Sequence, residues 1–363
     1  MKVPLLDLKR QWETIRDEVT KKVAATFEEQ AFVLGSRVDE FEAQFADYCD
    51  TAGAVGVASG TDALLLALRA LGVRDGEEVV TTPFTFFATA GAIVNAGGTP
   101  VFVDIDPATF NLDPDLVEDA ITERTRAILP VHLFGQTADM DPLLDVAMRR
   151  GVAILEDAAQ AVGALYHGQC AGRMGDLGAF SFFPSKNLGG AGDGGMIVGE
   201  DEDLLDHLRA LRGHGTRDRI EYPEVGWNSR LDALQAAVLS VKLAKLDKWS
   251  EARRRHAAVY DEAFLPQEGV VPPVVLDGCT PIYNQYVIRA ARRDDLKRHL
   301  ADCGIGTAIY YPRPLHHQPC LPDAACPEAD RACDEVLALP VFPELTGDEQ
   351  QYVIEKIREF FAR

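Results

Sequence analysis

Along the first fifty residues apolar positions recur at helical spacing, and then the pattern changes. Trp12, Ile15, Val19 and Val23 fall three or four residues apart, which predicts an amphipathic helix. A second helix is predicted from Val38 to Tyr48, with Phe41 and Phe45 on one face. Helices with a single apolar stripe need a surface to cover. Residues 1–50 therefore read as an arm packed on the rest of the chain or on a partner subunit.

From Ala54 short β-rich runs alternate with helices. Runs are predicted at Ala54–Val57, Glu78–Thr81, Val101–Val103, Ala127–Val131 and Val152–Leu155. Between them lie helices at Asp62–Leu71, Thr85–Asn95, Leu116–Ile121 and Met140–Arg150. Two further runs, Phe180–Phe183 and Met196–Val198, precede a helix over Leu204–Arg212. Such alternation predicts an α/β fold with a parallel sheet and a ligand site at the carboxyl ends of the strands. Helices Leu231–Leu246 and Lys248–Phe264 lead out of this unit. Proline becomes frequent from Pro266, followed by a strand (Gln285–Arg289), a helix (Arg293–Asp302), a strand (Thr307–Tyr310), a proline-rich loop and a last helix (Glu349–Phe361). The expected division is an arm at 1–50, a large domain at 51–247 and a small α/β domain at 248–363.

Composition narrows the function. A chain of 363 residues has room for about two domains. No apolar run approaches the ~20 residues that cross a bilayer, and Leu5-Leu6 is followed at once by charge. A cytoplasmic protein is expected. The formal charge of −21 argues against a nucleic-acid or membrane-surface role, since both need a basic footprint. An anionic substrate must then be met by a local basic cluster. The triplet Arg253-Arg254-Arg255 reads most simply as a solvated helix face. Seven cysteines, odd in number and without a CxxC pair, suit a reducing compartment. His316-His317 with Cys320, Cys326 and Cys333 lacks the short paired spacing of structural zinc, so no metal is expected there.

Three stretches carry chemistry. Residues 179–195 read AFSFFPSKNLGGAGDGG and deliver Lys186 among phenylalanines and glycines. A lysine moved out of water becomes a usable amine nucleophile or base, although a lysine at a loop edge is the simpler reading. Ser59-Gly60-Thr61-Asp62 lies between a run and an almost wholly apolar helix. Its Ser and Asp have capping spacing, and free N–H groups there suit either a plain cap or a phosphate. Val152–Asp157 places an acid at the end of a buried strand, where the charge needs a cation unless it caps the next turn. Two segments mislead. Gly190–Gly195 has GxGxxG spacing, but a strand rather than a helix follows, so it is not a dinucleotide loop. Trp227-Asn228-Ser229-Arg230 is either a cap or an oxyanion contact. Together, a phosphate-grade helix start, a strand-end acid and a buried lysine meet the needs of pyridoxal phosphate.

The order of motifs resembles the DegT/DnrJ/EryC1/StrS family of sugar aminotransferases, within fold type I of the pyridoxal-phosphate enzymes. The matching segments are SGTDAL (59–64), PFTFFATA (83–90), PVFVDID (100–106), PVHLFGQTADMD (130–141), EDAAQAVGA (156–164), FSFFPSKNLGGAGDGG (180–195), GWNSRLDALQAAVL (226–239) and Tyr310 with 311–319. The resemblance implies a large domain built on a mostly parallel seven-stranded sheet between helices, plus the smaller α/β domain. It implies that Lys186 carries pyridoxal 5'-phosphate as a Schiff base and later moves a proton. Asp157 would pair with the ring nitrogen, Gln160 would lie near the ring hydroxyl, and Phe86 would stack on the ring. Gly60, Thr61 and Ser181 would hold the phosphate, with Asn228 reaching in from the second subunit of a homodimer. The implied reaction moves an amino group from L-glutamate to a keto sugar on a nucleotide.

Relatives acting at C-4 often carry TGEGG after the lysine, and those acting at C-3 tend to carry LGxxGDGG. LGGAGDGG with Asp193 leans to the C-3 ketone. SFFPSKNLG in particular resembles enzymes of 3-keto uronic acid nucleotides, which carry serine where this chain has His132. Arg230, Tyr311 and His316 are the candidates for sugar and pyrophosphate contacts. The rivals are a 4-keto-sugar aminotransferase, a sugar dehydratase of the same fold and a non-catalytic cofactor-binding regulator. Lys186 counts against the dehydratases, which place histidine there, and no basic DNA-reading helix supports a regulator.

Overall fold

The computed structural model describes residues 1–362. The arm comprises α1 (Leu8–Glu29) and α2 (Ser36–Cys49). Asp7 caps α1 by accepting the Lys9 and Arg10 N–H groups. Its buried stripe is Gln11, Ile15, Val19 and Thr26, and Ile15 and Val19 pack on Val238, Val241 and Trp249. Trp12, expected on that face, stays 39% exposed and leaves an apolar surface beside Leu8. On α2, Phe41 and Phe45 are fully buried and meet Phe180 and Phe182 edge-on at ring separations of 5.0–5.5 Å. The arm therefore props the strand that leads to Lys186.

The alternating region folds in the expected sequence: β1 (Gly53–Val57), α3 (Gly60–Ala70), β2 (Glu78–Thr81), α4 (Ala88–Asn95), β3 (Thr99–Phe102), α5 (Pro114–Ala120), β4 (Thr125–Leu129), α6 (Met140–Arg150) and β5 (Ala153–Asp157). A hairpin, β6 (Leu165–Tyr166) and β7 (Gln169–Cys170), precedes β8 (Leu177–Ser181), β9 (Gly195–Gly199) and α7 (Glu202–Leu211). Seven strands form one sheet in the order β1-β9-β8-β5-β4-β2-β3. The pairs β2–β3, β2–β4, β4–β5 and β5–β8 are parallel, and only β9 runs against its neighbours. Buried runs such as Val79-Val80 and Ile154-Leu155 are covered on both faces, as parallel strands require.

After α8 (Ala233–Leu243) and α9 (Leu246–Phe264) come β10 (Val270–Val271), β11 (Cys279–Thr280), β12 (Tyr286–Ala290), α10 (Arg293–Asp302), α11 (Pro327–Glu335), β13 (Val336–Leu339) and α12 (Gly347–Phe361). β10, β12 and β13 form a second, antiparallel sheet, while β11 joins the hairpin.

Three expectations fail here. Thr307–Tyr310 is not a strand: Ala308 pairs with Ala338 alone, and the chain then turns toward Tyr311 and Pro312, which offers no N–H. The proline-rich loop hides α11, whose first N–H groups are capped by Asp104, 224 and 225 residues away in sequence. Arg253 is not on a solvated face. It is 4% exposed and donates to the carbonyls of Tyr283, Asn284 and Val341. Arg253→Leu is expected to strand those carbonyls and cost about 3 kcal/mol, read as a lower midpoint in urea unfolding; an unchanged midpoint would remove this role.

Candidate active site

The carboxyl ends of β1, β2, β4, β5 and β8 converge on one cavity of ≈ 340 Å³. Its wall includes Ser59, Gly60 and Thr61 after β1, Thr85, Phe86 and Thr89 after β2, Asp157 and Gln160 at β5, and Ser181 and Lys186 at β8. Tyr310 and Tyr311 close it from the C-terminal region. Lys186, Asp157, Gly60, Thr61, Phe86, Gln160, Ser181 and Tyr311 are thus gathered at one place. Arg230, Asn228 and His316 are not among the residues lining the cavity. Arg230 is half-buried, Asn228 is exposed, and His316 is 2% exposed. Asp330 lies 3.4 Å from His316 Nε2 without being aligned to accept its hydrogen, and neither ring nitrogen has a hydrogen-bond partner. Cys326 and Cys333 are buried among apolar side chains, and His317 and Asp330, not thiols, lie beside His316.

Asp157 ends a strand buried from Ile154 onward, and its carboxylate lines the cavity while staying 4% exposed. Thr89 Oγ1 donates to Oδ2 at 2.8 Å and the Ala159 N–H to Oδ1 at 3.2 Å. Desolvation raises its pKa above the ordinary carboxylate range, against the pull of these bonds and of Lys186. Such an acid lacks a full cationic partner. Burial has the converse effect on the Lys186 amine, lowering its pKa to about 8 against the opposing pull of Asp157. Among the described residues Lys186 is the only cation on the cavity wall, so a large anion needs charge from elsewhere.

The phosphate-grade corner is built by close approach. Ser59 caps α3 by accepting the Asp62 N–H at 3.1 Å, which among the described residues leaves the Gly60 and Thr61 N–H groups to meet an anion. A side chain at Gly60 would put Cβ 2.5 Å from Ser181 Cβ, and one at Gly195 would put it 2.3 Å from the Ser59 carbonyl oxygen. The glycine-rich tail after Lys186 is thus backbone packed beneath the corner, with Gly195 opening β9. Gly195→Ala is expected to force the Ser59-Gly60 turn aside, costing about 1–3 kcal/mol. A melt matching wild type would show that the turn gives way freely.

Gln160 accepts the Phe134 N–H at 2.8 Å and donates to the Tyr311 hydroxyl at 3.0 Å, tying the two sides of the cavity together. Thr89 escapes sequence reading, although it lies four residues after Thr85, which precedes α4, and their hydroxyls meet at 3.1 Å.

The acid, the amine and the anion corner are the parts a fold type I transaminase needs, and the DegT/DnrJ/EryC1/StrS aminotransferase profile matches residues 13–358. The chain belongs to that family. A Geobacillus stearothermophilus relative named a pleiotropic regulatory protein is 48% identical, with 99% of each chain covered. A Streptomyces venezuelae dTDP-3-amino-3,4,6-trideoxy-alpha-D-glucose transaminase is 44% identical over 100% of this chain and 97% of its own. The crystal structure of S. venezuelae DesV in complex with a ketimine intermediate superposes with a TM-score of 0.97 at 44% identity, covering 100% of this chain and 99% of that one. Members of this family are sugar aminotransferases with the fold type I architecture described above.

Proposed function

We propose that this chain is a pyridoxal-phosphate-dependent transaminase that moves an amino group from L-glutamate to the C-3 ketone of a nucleotide-linked sugar. The observation that carries the reading is Asp157: a buried carboxylate with only neutral hydrogen-bond donors, facing the same cavity as the half-buried Lys186 amine and the start of α3. A protonated ring nitrogen, an aldehyde carbon and a phosphate fit these three places. When bound, the cofactor supplies an electron sink that weakens the bond to hydrogen at the carbon bearing nitrogen.

The chain's own residues do the rest. The α3 N–H groups with Ser181 hold the phosphate. Asp157, oriented by Thr89 and the Ala159 N–H, keeps the ring nitrogen protonated. Phe86, 59% exposed on the rim, covers one ring face. Lys186 Nζ would take the proton from the amino-bearing carbon and return it to the carbon on the other side of that nitrogen, a task suited to an amine titrating near the working pH. Gln160 and Tyr311 wall the substrate side.

Support for the C-3 ketone comes from the LGGAGDGG run and from the 3-amino sugar named for the S. venezuelae relative. The homodimer part of the reading rests on Asn228, exposed and not among the residues lining its own cavity, and on the uncovered apolar residues Leu8, Trp12, Phe27 and Val33. A second subunit's Asn228 then adds a polar contact to the phosphate, and Arg230 remains the candidate contact for the pyrophosphate.

The test is a panel of 3-keto and 4-keto nucleotide sugars with L-glutamate, the amine position of the product read by NMR. A C-3 amine is expected. A C-4 amine would move the site of attack. Glutamate that leaves the cofactor's spectrum unchanged, together with glutamine and aspartate, would end the transaminase reading and leave the regulator named for the G. stearothermophilus relative as the alternative.

A further inference from the structure

One buried pair of titratable groups has no part in the chemistry described above. His132 and Glu156 are both 0% exposed. Glu156 precedes Asp157 on β5, and successive strand residues face opposite sides of a sheet. Asp157 therefore faces the cavity and Glu156 the far side. A carboxylate buried there needs every lone pair engaged. Glu156 Oε2 lies 2.7 Å from His132 Nε2 and accepts the Gly172 N–H at 2.7 Å, while Oε1 accepts the Gly175 N–H at 2.6 Å.

The other ring nitrogen decides the tautomer. His132 Nδ1 accepts the Ala138 N–H at 3.1 Å. A nitrogen that accepts carries no hydrogen, so the ring hydrogen sits on Nε2 and is donated to Glu156. The backbone repeats the grip, because the His132 N–H donates to the Asp157 carbonyl at 3.0 Å and the Asp157 N–H to the Pro130 carbonyl at 2.9 Å. Residues 130–132 thus hold Glu156 by its side chain and Asp157 by its main chain. The two glycines whose N–H groups grip Glu156 are themselves tightly packed. A Cβ at Gly172 would lie 2.4 Å from the Phe180 ring, and one at Gly175 would lie 2.7 Å from Ile154. Phe180 belongs to β8, which leads to Lys186.

We propose that His132 is a positioning residue, which fixes the depth and direction of the Asp157 carboxylate in the cavity by holding Glu156 in one place. The inference rests on the pyridoxal-phosphate reading of the site. Asp157 has two other anchors, Thr89 and the Ala159 N–H. Without the imidazole N–H, Glu156 reorganises at the strand end and carries its neighbour with it, and small misplacements at a reacting centre are expensive.

The experiment uses the full chain, stripped of cofactor and titrated with pyridoxal phosphate. His132→Leu and His132→Gln are made in wild-type and Asp157→Asn backgrounds. The amide of glutamine reaches the place of Nε2 and restores a donor. His132→Leu is expected to weaken cofactor affinity about tenfold, the lower end for outer-shell partners of a bound group, and to shift the pH midpoint of the bound cofactor's absorbance. His132→Gln is expected to restore affinity to within about threefold, and in Asp157→Asn the leucine change is expected to add less than about twofold. Unchanged affinity and midpoint in His132→Leu would overturn the inference. An equal loss in both backgrounds would also overturn it, since the histidine would then act on stability alone. Should the leucine variant not fold, His132→Asn carries the same comparison, because its shorter amide does not reach Glu156. A wild-type chain that fails to take up pyridoxal phosphate would overturn the reading of the site and this inference with it. Wild-type binding with an indifferent His132→Leu overturns only the inference.

Discussion

Lys186→Ala is expected to abolish transamination, lowering kcat by about 10⁴-fold or more, the upper range for a positioned proton carrier, and to remove the visible absorbance of the cofactor-loaded protein. The size follows from there being no substitute, since no other amine lines the cavity among the described residues. Burial lowers the Lys186 pKa from 10.5 to about 8. The sign of the stability effect follows. Between about 8 and 10.5 the unfolded chain holds a proton that the folded chain has released, so apoprotein stability rises with pH across that window. Below about 8 both states are protonated and the folded state bears the full cost of a desolvated cation. Apoprotein Lys186→Ala should therefore melt above wild type at neutral pH, with the gap closing as pH approaches 10.5. Thermal melts and a spectrum of the loaded variant test both halves. A surviving visible band would end the assignment of Lys186.

Asp157→Asn is expected to lower kcat/KM by about 10²- to 5 × 10³-fold, the effect of breaking a buried ion pair by about 3–5 kcal/mol. In the apoprotein the same change should act in the opposite direction. Burial raises the Asp157 pKa, so the folded state holds its proton to higher pH than the unfolded state does. Apoprotein stability then falls as pH rises from the ordinary carboxylate range through the raised value. Asparagine carries no charge to desolvate. The variant should melt above wild type without cofactor at neutral pH and below it when loaded. Melts that fail to cross, with cofactor affinity equal to wild type, would remove Asp157 as the partner of the ring nitrogen.

Helices with strong apolar period were legible to within a few residues: Met140–Arg150 and Arg293–Asp302 coincide with α6 and α10. Short strands and distant caps were not. α11 begins at Pro327 in a proline-rich stretch, and its cap comes from Asp104 on another element. β13 has only four residues and owes its existence to pairing with β12. Arg253 sits in a run of three arginines, and only the fold shows which of them meets backbone carbonyls. Thr89 lay inside a quoted motif, yet its bond to Asp157 spans 68 residues.

The sequence by itself determined the α/β alternation, the arm, and the three chemical parts: Lys186, Asp157 and the Ser59–Asp62 helix start. Those are local properties, carried by period, capping spacing and the company a charged residue keeps. The tertiary structure alone decided that all three face one cavity and that burial pushes the acid up and the amine down. It also left Arg230 and His316 out of the residues lining the cavity and joined His132, after β4, to Glu156 on β5. The physical reason is that desolvation and hydrogen bonding between distant residues depend on what the fold packs around a group, which neighbouring residues in the chain do not specify.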